Sequence, residues 1–179
     1  METALTLAVS ERDRDFELVE QARQGNLVAF DNLFERHRQF VYNICLGILG
    51  SSEDAMDATQ NAFVQVYKNL RSFRGNAGFR TWIYRIATNI SISLARKRTR
   101  QCNVRAEDDP NASASATRDR VWEAILEIPP DMRAVLVLFY FHGLSGDELA
   151  ESLGYSAGAA RTKLHRARKA FKAKYEELG

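Results

Sequence analysis

A chain of 179 residues with 45% hydrophobic content is long enough for one ordinary domain or two small ones, and apolar enough to pack cores, which excludes a disordered tail. Its formal net charge of +2 conceals an asymmetry: acidic residues cluster in the first half and basic residues at two later sites, so charge position matters more than charge total. The start METALTLAVSERD has neither the basic n-region nor the apolar run of a secretory signal, and no stretch approaches the roughly 18 apolar residues of a membrane span, so a cytoplasmic protein without membrane insertion is expected.

From Phe16 onward the pattern is helical and punctuated by glycine. Gly25, Gly50, Gly143 and Gly154 each follow an apolar periodic segment, where a C-terminal cap belongs. The segment Leu27 to Leu49 sets Phe30, Leu33, Phe34, His37, Val41, Ile44, Cys45 and Ile48 on one 3.6-residue stripe, which predicts a long amphipathic helix. Ser51 or Ser52 then supplies an N-cap ahead of Glu53 and Asp54, and Ala55, Ala62, Phe63, Val66 and Leu70 form a third stripe. After the loop SFRGNAG, a fourth helix over Phe79 to Arg98 buries Ile83, Ile86, Ala87, Ile90 and Leu94.

Periodicity stops between Thr99 and Thr117, where the composition is acidic and rich in Ser, Ala and Pro, as in an extended connector. The chain therefore divides into an N-terminal extension over 1–14 that is expected to be flexible, a first helical domain over 15–98, a linker over 99–117 and a second helical domain over 118–179. In the second domain a helix from about Arg118 to Ile128 ends at Pro129-Pro130, an apolar helix runs from Asp131 to His142, and two shorter, polar-capped helices complete it. The expected fold is all-α, two small helical domains joined by a flexible linker.

The last two helices have helix-turn-helix form. Leu149-Ala150 and Leu153-Gly154 end one helix, and Ser156 caps the next. Ala160, Leu164, Ala167, Phe171 and Tyr175 recur at helical spacing and would hold the second helix down, while Arg161, Lys163, Arg166, Arg168, Lys169, Lys172 and Lys174 make its other faces basic. Such a helix attracts phosphate. A recognition helix enters the major groove by its N-terminal turns, so Arg161, Thr162, His165 and Arg166 are candidates for base edges, and Lys169 and Lys172 for phosphates. No catalytic constellation is present: there is no glycine-rich phosphate loop and no nucleophile with a positioned base. His142 and His165 lack a second ligand at i+3 or i+4, and Cys45 and Cys102 lack zinc-spaced partners, so neither a metal nor another cofactor is expected.

The run EDAMDATQNAFVQVYKNLRSFRGNAGFRTWIYRIATNISISLARKR resembles regions 2.2 to 2.4 of RNA polymerase sigma factors of the sigma-70 family, and SAGAARTKLHRARKAF resembles region 4.2. With no room for a region 1.1 or region 3 domain, the likeness is to the extracytoplasmic-function (ECF) subfamily. The resemblance implies a sigma factor whose first domain, region 2, binds core RNA polymerase and the melted minus-ten element, and whose second, region 4, reads the minus-35 element of promoter DNA. The implied polymerase contacts are the clamp helices of the largest subunit and the flap of the second largest, with an anti-sigma factor as a further partner.

The same resemblance assigns residues. Asp54, Asp57, Gln60, Asn61 and Val64 fall on the helix face that docks on the clamp in the family, although Met56 and Asn61 stand where that helix usually carries acids. Arg74, Asn76, Phe79, Arg80, Trp82, Arg85, Asn89 and Arg96 match the minus-ten reading segment, with Asn76 the choice for a base-specific contact. Along the fourth helix, Trp82, Arg85, Asn89, Ser93 and Arg96 form a stripe that mixes aromatic, cationic and amide groups, which suits unstacked bases. Phe79 and Trp82 are read either as stacking platforms or as core. Ser156, Arg161, Thr162, Lys163, His165, Arg166 and Lys169 match the minus-35 reader. A connector of about 18 residues can span about 60 Å at ~3.5 Å per residue, enough for promoter elements roughly 50 Å apart.

Overall fold

The computed structural model describes residues 14–75, 78–104 and 120–178, and among these it is helical throughout, without strands. Eight helices follow in order: α1 (14–23), α2 (Leu27–Leu49), α3 (Ser52–Asn69), α4 (Phe79–Val104), α5 (Arg120–Glu127), α6 (Pro130–Leu136), α7 (Gly146–Leu153) and α8 (Ala157–Glu177). A 3-10 turn at Leu70–Ser72 follows α3, and a π-helical turn at Val137–Phe141 extends α6.

Local chemistry sets most of the boundaries. The Asn26 side chain accepts from the Ala29 N–H at the start of α2 (3.2 Å), and Gly50 ends it in the left-handed region at φ 71°. Ser51, rather than Ser52, caps α3 by accepting from the Asp54 N–H. The apolar helix expected over Asp131 to His142 is instead α6 plus the wider π turn, and of the two helices expected to be shorter, α7 is 8 residues long but α8 is 21. α4 continues to Val104, past the expected end at Arg98. The rest of the connector, and the extension over 1–13, lie outside the described residues.

In the first half, α2, α3 and α4 pack around Leu33, Val41, Ile44, Ile48, Val66 and Ile83, all fully buried. The stripes read from sequence face this core, with Phe30, Phe34, Ile86, Ile90 and Leu94 half-buried at its margin. α1 is tied on by a buried pair in which Asp15 meets His37 Nε2 at 2.9 Å, with Arg36 at 3.3 Å from the other carboxylate oxygen. In the second half α8 packs against α5, α6 and α7 through Ala160, Leu164 and Ala167.

The two halves do not stand apart. α2 and α4 pack against α6 and α7, and the buried cluster runs without a break from Ile48 and Leu49 to Ala134, Val135 and Leu138. Two glycines of α2 make the approach possible: a Cβ on Gly47 would lie 2.9 Å from both Val137 methyls, and one on Gly50 would lie 2.6 Å from the Leu126 side chain. Arg133 bolts this seam. It is 9% exposed and donates to the carbonyls of Leu126 (2.7 Å), Ile128 (3.2 Å) and, across the seam, Ile48. A cation among the carbonyls that end α5 and α2 meets the negative poles of both helices. Burial pushes its pKa down to about 10, with Glu127 acting in the other direction, so it stays charged at neutral pH.

Candidate nucleic-acid interface

α8 is oriented by two caps and a tight turn. Ser145 and Glu148 form a reciprocal capping box at the start of α7: the Ser145 N–H donates to the Glu148 carboxylate (2.9 Å) and the Glu148 N–H to the Ser145 hydroxyl oxygen (3.3 Å). Gly154 closes α7 at φ 69°, and the Ser156 hydroxyl accepts from the Ala159 N–H to open α8. With Ala160, Leu164 and Ala167 buried, Arg161, Thr162, His165, Arg166 and Lys169 all face outward. At 3.6 residues per turn they span an arc of about 140° opposite the apolar stripe. Ser156 is exposed beside the first turn, where its hydroxyl is already engaged as the cap.

Lys163 corrects one expectation. It is not on the outward face: half-buried, it pairs with Asp131 of α6 and braces α8. Burial alone would raise the Asp131 carboxyl, but the bonded Lys163 ammonium holds it below its ordinary value. Arg168 is likewise turned toward aromatic rings, lying 5.4 Å from Phe139 and 5.5 Å from Tyr140, a cation–π arrangement.

On α4, Arg85, Asn89, Ser93 and Arg96 are exposed along the expected stripe, Arg80 is exposed at the first turn on the other side of the helix, and Arg74 is exposed just before it. Phe79 is 3% exposed and packs edge-on against Phe73 (5.9 Å) and beside His37 (5.3 Å), so it is core and offers no face for stacking. Its position at the first turn of α4 puts it on the same side as Ile83. Trp82, one step round the helix, is half-buried, rests on Phe73 (5.0 Å) and lines an open cleft of about 250 Å³ with Arg74, Gly75 and Arg85. Asn76 lies outside the described residues.

α3 presents Asp57, Gln60, Asn61 and Val64 to solvent, together with Glu53, which sequence reasoning did not assign. Asp54 is half-buried and already paired with Arg98 of α4. Met56 and Tyr67 are each more than half exposed beside this face and Val64 is 48% exposed, so it is more apolar than an acidic docking surface. Among the described residues no group of His, Cys, Asp and Glu could hold a metal ion, and no helix is long and apolar enough to cross a membrane.

The contacts that sequence reasoning missed lie between the halves. Arg80 pairs with Glu148 of α7 at 3.1 Å, and Glu151, one turn on, lines the same cleft as Trp82 and Arg85. Burial would raise the Glu148 carboxyl, yet its bonds from Ser145 and the Arg80 charge hold it below its ordinary value. Nothing in the local pattern of α7 distinguishes these acids from a solvated helix face.

Comparison with known proteins agrees with this layout. Residues 33–101 match the family model Sigma-70 region 2, and residues 118–171 match Sigma-70, region 4. The chain is 30% identical to the ECF RNA polymerase sigma factor SigW of Bacillus subtilis, over 89% of this chain and 96% of that one. It is also 30% identical to the ECF RNA polymerase sigma-E factor of Escherichia coli, over 95% and 98%. A solved structure of CnrH in complex with the cytosolic domain of CnrY aligns with a TM-score of 0.71 at 27% identity, over 92% of this chain and 98% of that one. The sigma factor RpoE of Bartonella quintana, solved with the anti-sigma factor NepR, shares the fold at a TM-score of 0.64 and 18% identity, over 82% of this chain and 96% of that one. With both halves of the helical layout matched along nearly the whole chain, it belongs to the ECF subfamily of sigma-70 factors, which bind core RNA polymerase and direct promoter-specific initiation of transcription.

Proposed function

We propose that the outward face of α8, Arg161, Thr162, His165, Arg166 and Lys169, reads the upstream promoter element as duplex, and that the Trp82, Arg85, Asn89 and Arg96 face of α4, with Arg74 and Arg80 at its entrance, takes the melted downstream strand. The contiguous basic arc on α8, aimed by the Ser145 and Ser156 caps, is the observation that carries the reading. Guanidinium groups at 161 and 166 suit guanine edges in the major groove, while Lys169 suits a phosphate. On α4, Trp82 supplies an aromatic surface for an unstacked base and the flanking arginines neutralise its backbone.

The α3 face of Asp57, Gln60, Asn61 and Val64 docks on the polymerase clamp, with Met56 contributing apolar contact where the family resemblance implies an acid. The factor performs no chemistry of its own, acts in the cytoplasm, and works through positioning and base pairing energetics alone. The 27%-identical CnrH was solved in complex with the cytosolic domain of CnrY, which supports a protein partner, such as an anti-sigma factor, for this chain as well. Run-off transcription with purified core polymerase and a library of promoter fragments tests the whole reading. Transcripts that depend on this chain and start downstream of one shared pair of sequence elements are expected. A chain that binds duplex DNA but supports no initiation with core enzyme would refute it.

A further inference from the structure

We infer that Phe16 of α1 is a second stacking platform for the melted strand, set beside Trp82 across the loop that precedes α4. The inference rests on the α4 reading given above. Of the two rings that the sequence offers as platforms, Phe79 is core, whereas Phe16 is 53% exposed. The Phe16 ring meets the loop by one edge, with Cε2 3.5 Å and Cδ2 4.0 Å from where a side chain on Gly75 would begin. Gly75, at φ 73°, also lines the cleft of Trp82, Arg74 and Arg85. The two rings thus border the same residue, and a strand that leaves Trp82 crosses Gly75 to reach Phe16.

α1 is fastened to the first half at both ends. Phe16, Glu20 and Arg23 recur at i, i+4 and i+7 and so share one face of the helix. At its far end Arg23 pairs with Glu20, donates from Nε to the Leu70 carbonyl (3.1 Å) and sets its guanidinium 5.9 Å from the centre of the Phe73 ring. Phe73 is the ring on which Trp82 rests. At the near end Asp15, 5% exposed, is held by His37 at 2.9 Å and Arg36 at 3.3 Å, and the His37 ring in turn packs on Phe79. Buried carboxylates persist only where they are paired, so this pair fixes the backbone beside Phe16. A ring on a helix already held at both ends loses little further freedom when a base settles on it.

An exposed phenylalanine by itself is ordinary. Packing does not account for this one, because Val19 and Ala22 already bury the apolar side of α1. Its neighbours are those of a single-strand site: an aromatic surface on Trp82, and the exposed Arg74 guanidinium for the phosphate that accompanies a stacked base.

The test uses holoenzyme assembled from core polymerase and the full-length chain, on a promoter fragment whose downstream element is opened by mismatches. 2-Aminopurine, which is quenched when it stacks, replaces each base of the opened element in turn. Among the quenched positions, one should be relieved by Trp82→Ala and a different one by Phe16→Ala. Phe16→Ala should also lower affinity for the fragment about five- to tenfold, the lower end for a base stacked on an aromatic side chain. Phe16→Trp should keep both readings at the wild-type level, while Phe16→Leu, which retains an apolar contact with Gly75, should lose both. Asp15→Asn should weaken the quench at the Phe16 position alone, as for a positioning residue. If Phe16→Ala changes no position while Trp82→Ala does, the platform is overturned and the α4 reading stands. If Phe16→Leu behaves as wild type, the side chain only packs on the loop, and the platform is again overturned. If neither alanine variant moves any position, the platform falls together with the α4 reading.

Discussion

Replacing Arg133 tests the seam between the two halves. Its guanidinium serves three carbonyls, those of Leu126, Ile128 and Ile48, at a position 9% exposed. Burial lowers its pKa to about 10, which corresponds to about 3 kcal/mol of desolvation cost at 1.36 kcal/mol per unit. Three hydrogen bonds from a charged donor contribute about 1.5–3 kcal/mol each, so the bonds outweigh the cost. Arg133→Ala leaves these carbonyls without their donor and removes a long buried stem, and a loss of about 3–5 kcal/mol is expected. Against a typical total of about 5–15 kcal/mol this is a large fraction. Urea unfolding followed by circular dichroism and tryptophan fluorescence measures it, since Trp82 and Trp122 report on different halves. Arg133→Lys should recover only part of the loss, because one ammonium cannot span three acceptors set in a fork. A loss below about 1 kcal/mol for Arg133→Ala would refute the reasoning, since it would mean that the buried carbonyls find other partners at no cost.

On α8, Arg161→Ala and Arg166→Ala should each cost about 1–3 kcal/mol of discrimination at one base pair, whereas Lys169→Ala should weaken all sequences alike and lower the salt slope by about 1; fluorescence anisotropy with promoter variants at several salt concentrations separates the two. Asp57→Arg places a like charge against a basic clamp surface and should weaken association with core polymerase in a pull-down, unchanged binding removing Asp57 from the interface. The Asp131 and Glu148 carboxyls are both held below their ordinary values in the fold, so the unfolded chain takes up their protons first as pH falls. Their stabilisation is present above the ordinary carboxylate range and lost as pH drops through their folded values, and Asp131→Asn with Glu148→Gln should flatten that part of a pH-stability profile measured by urea unfolding.

What was legible in the sequence was what neighbours along the chain decide. A cap or an apolar stripe is settled within a few residues, and so Leu27–Leu49, the left-handed Gly25, Gly50, Gly143 and Gly154, and the Ser156 start of α8 all stand where periodicity and turn chemistry put them. The basic arc of α8 was legible for the same reason, because a helix with one apolar stripe must turn its other residues outward.

The settings of Phe79, left open between platform and core, and of Lys163 were not legible because their side chains are claimed by partners distant in sequence. Phe79 is close in type and position to Trp82, and only the packing of Phe73 and His37 around it makes it core. Lys163 belongs to a row of cations, and it alone of the base-reading candidates meets Asp131, 32 residues earlier. The seam lay deeper still. Nothing in the local pattern around Gly47, Arg133 or Glu148 marks a role beyond its own helix. Each takes on its second role only once α6 and α7 are laid against α2 and α4. By itself the sequence determined the helices, their caps and the charge of each face, because these depend on local spacing. The tertiary structure alone decided which faces are free and which are covered, because burial depends on contacts between residues far apart in the chain.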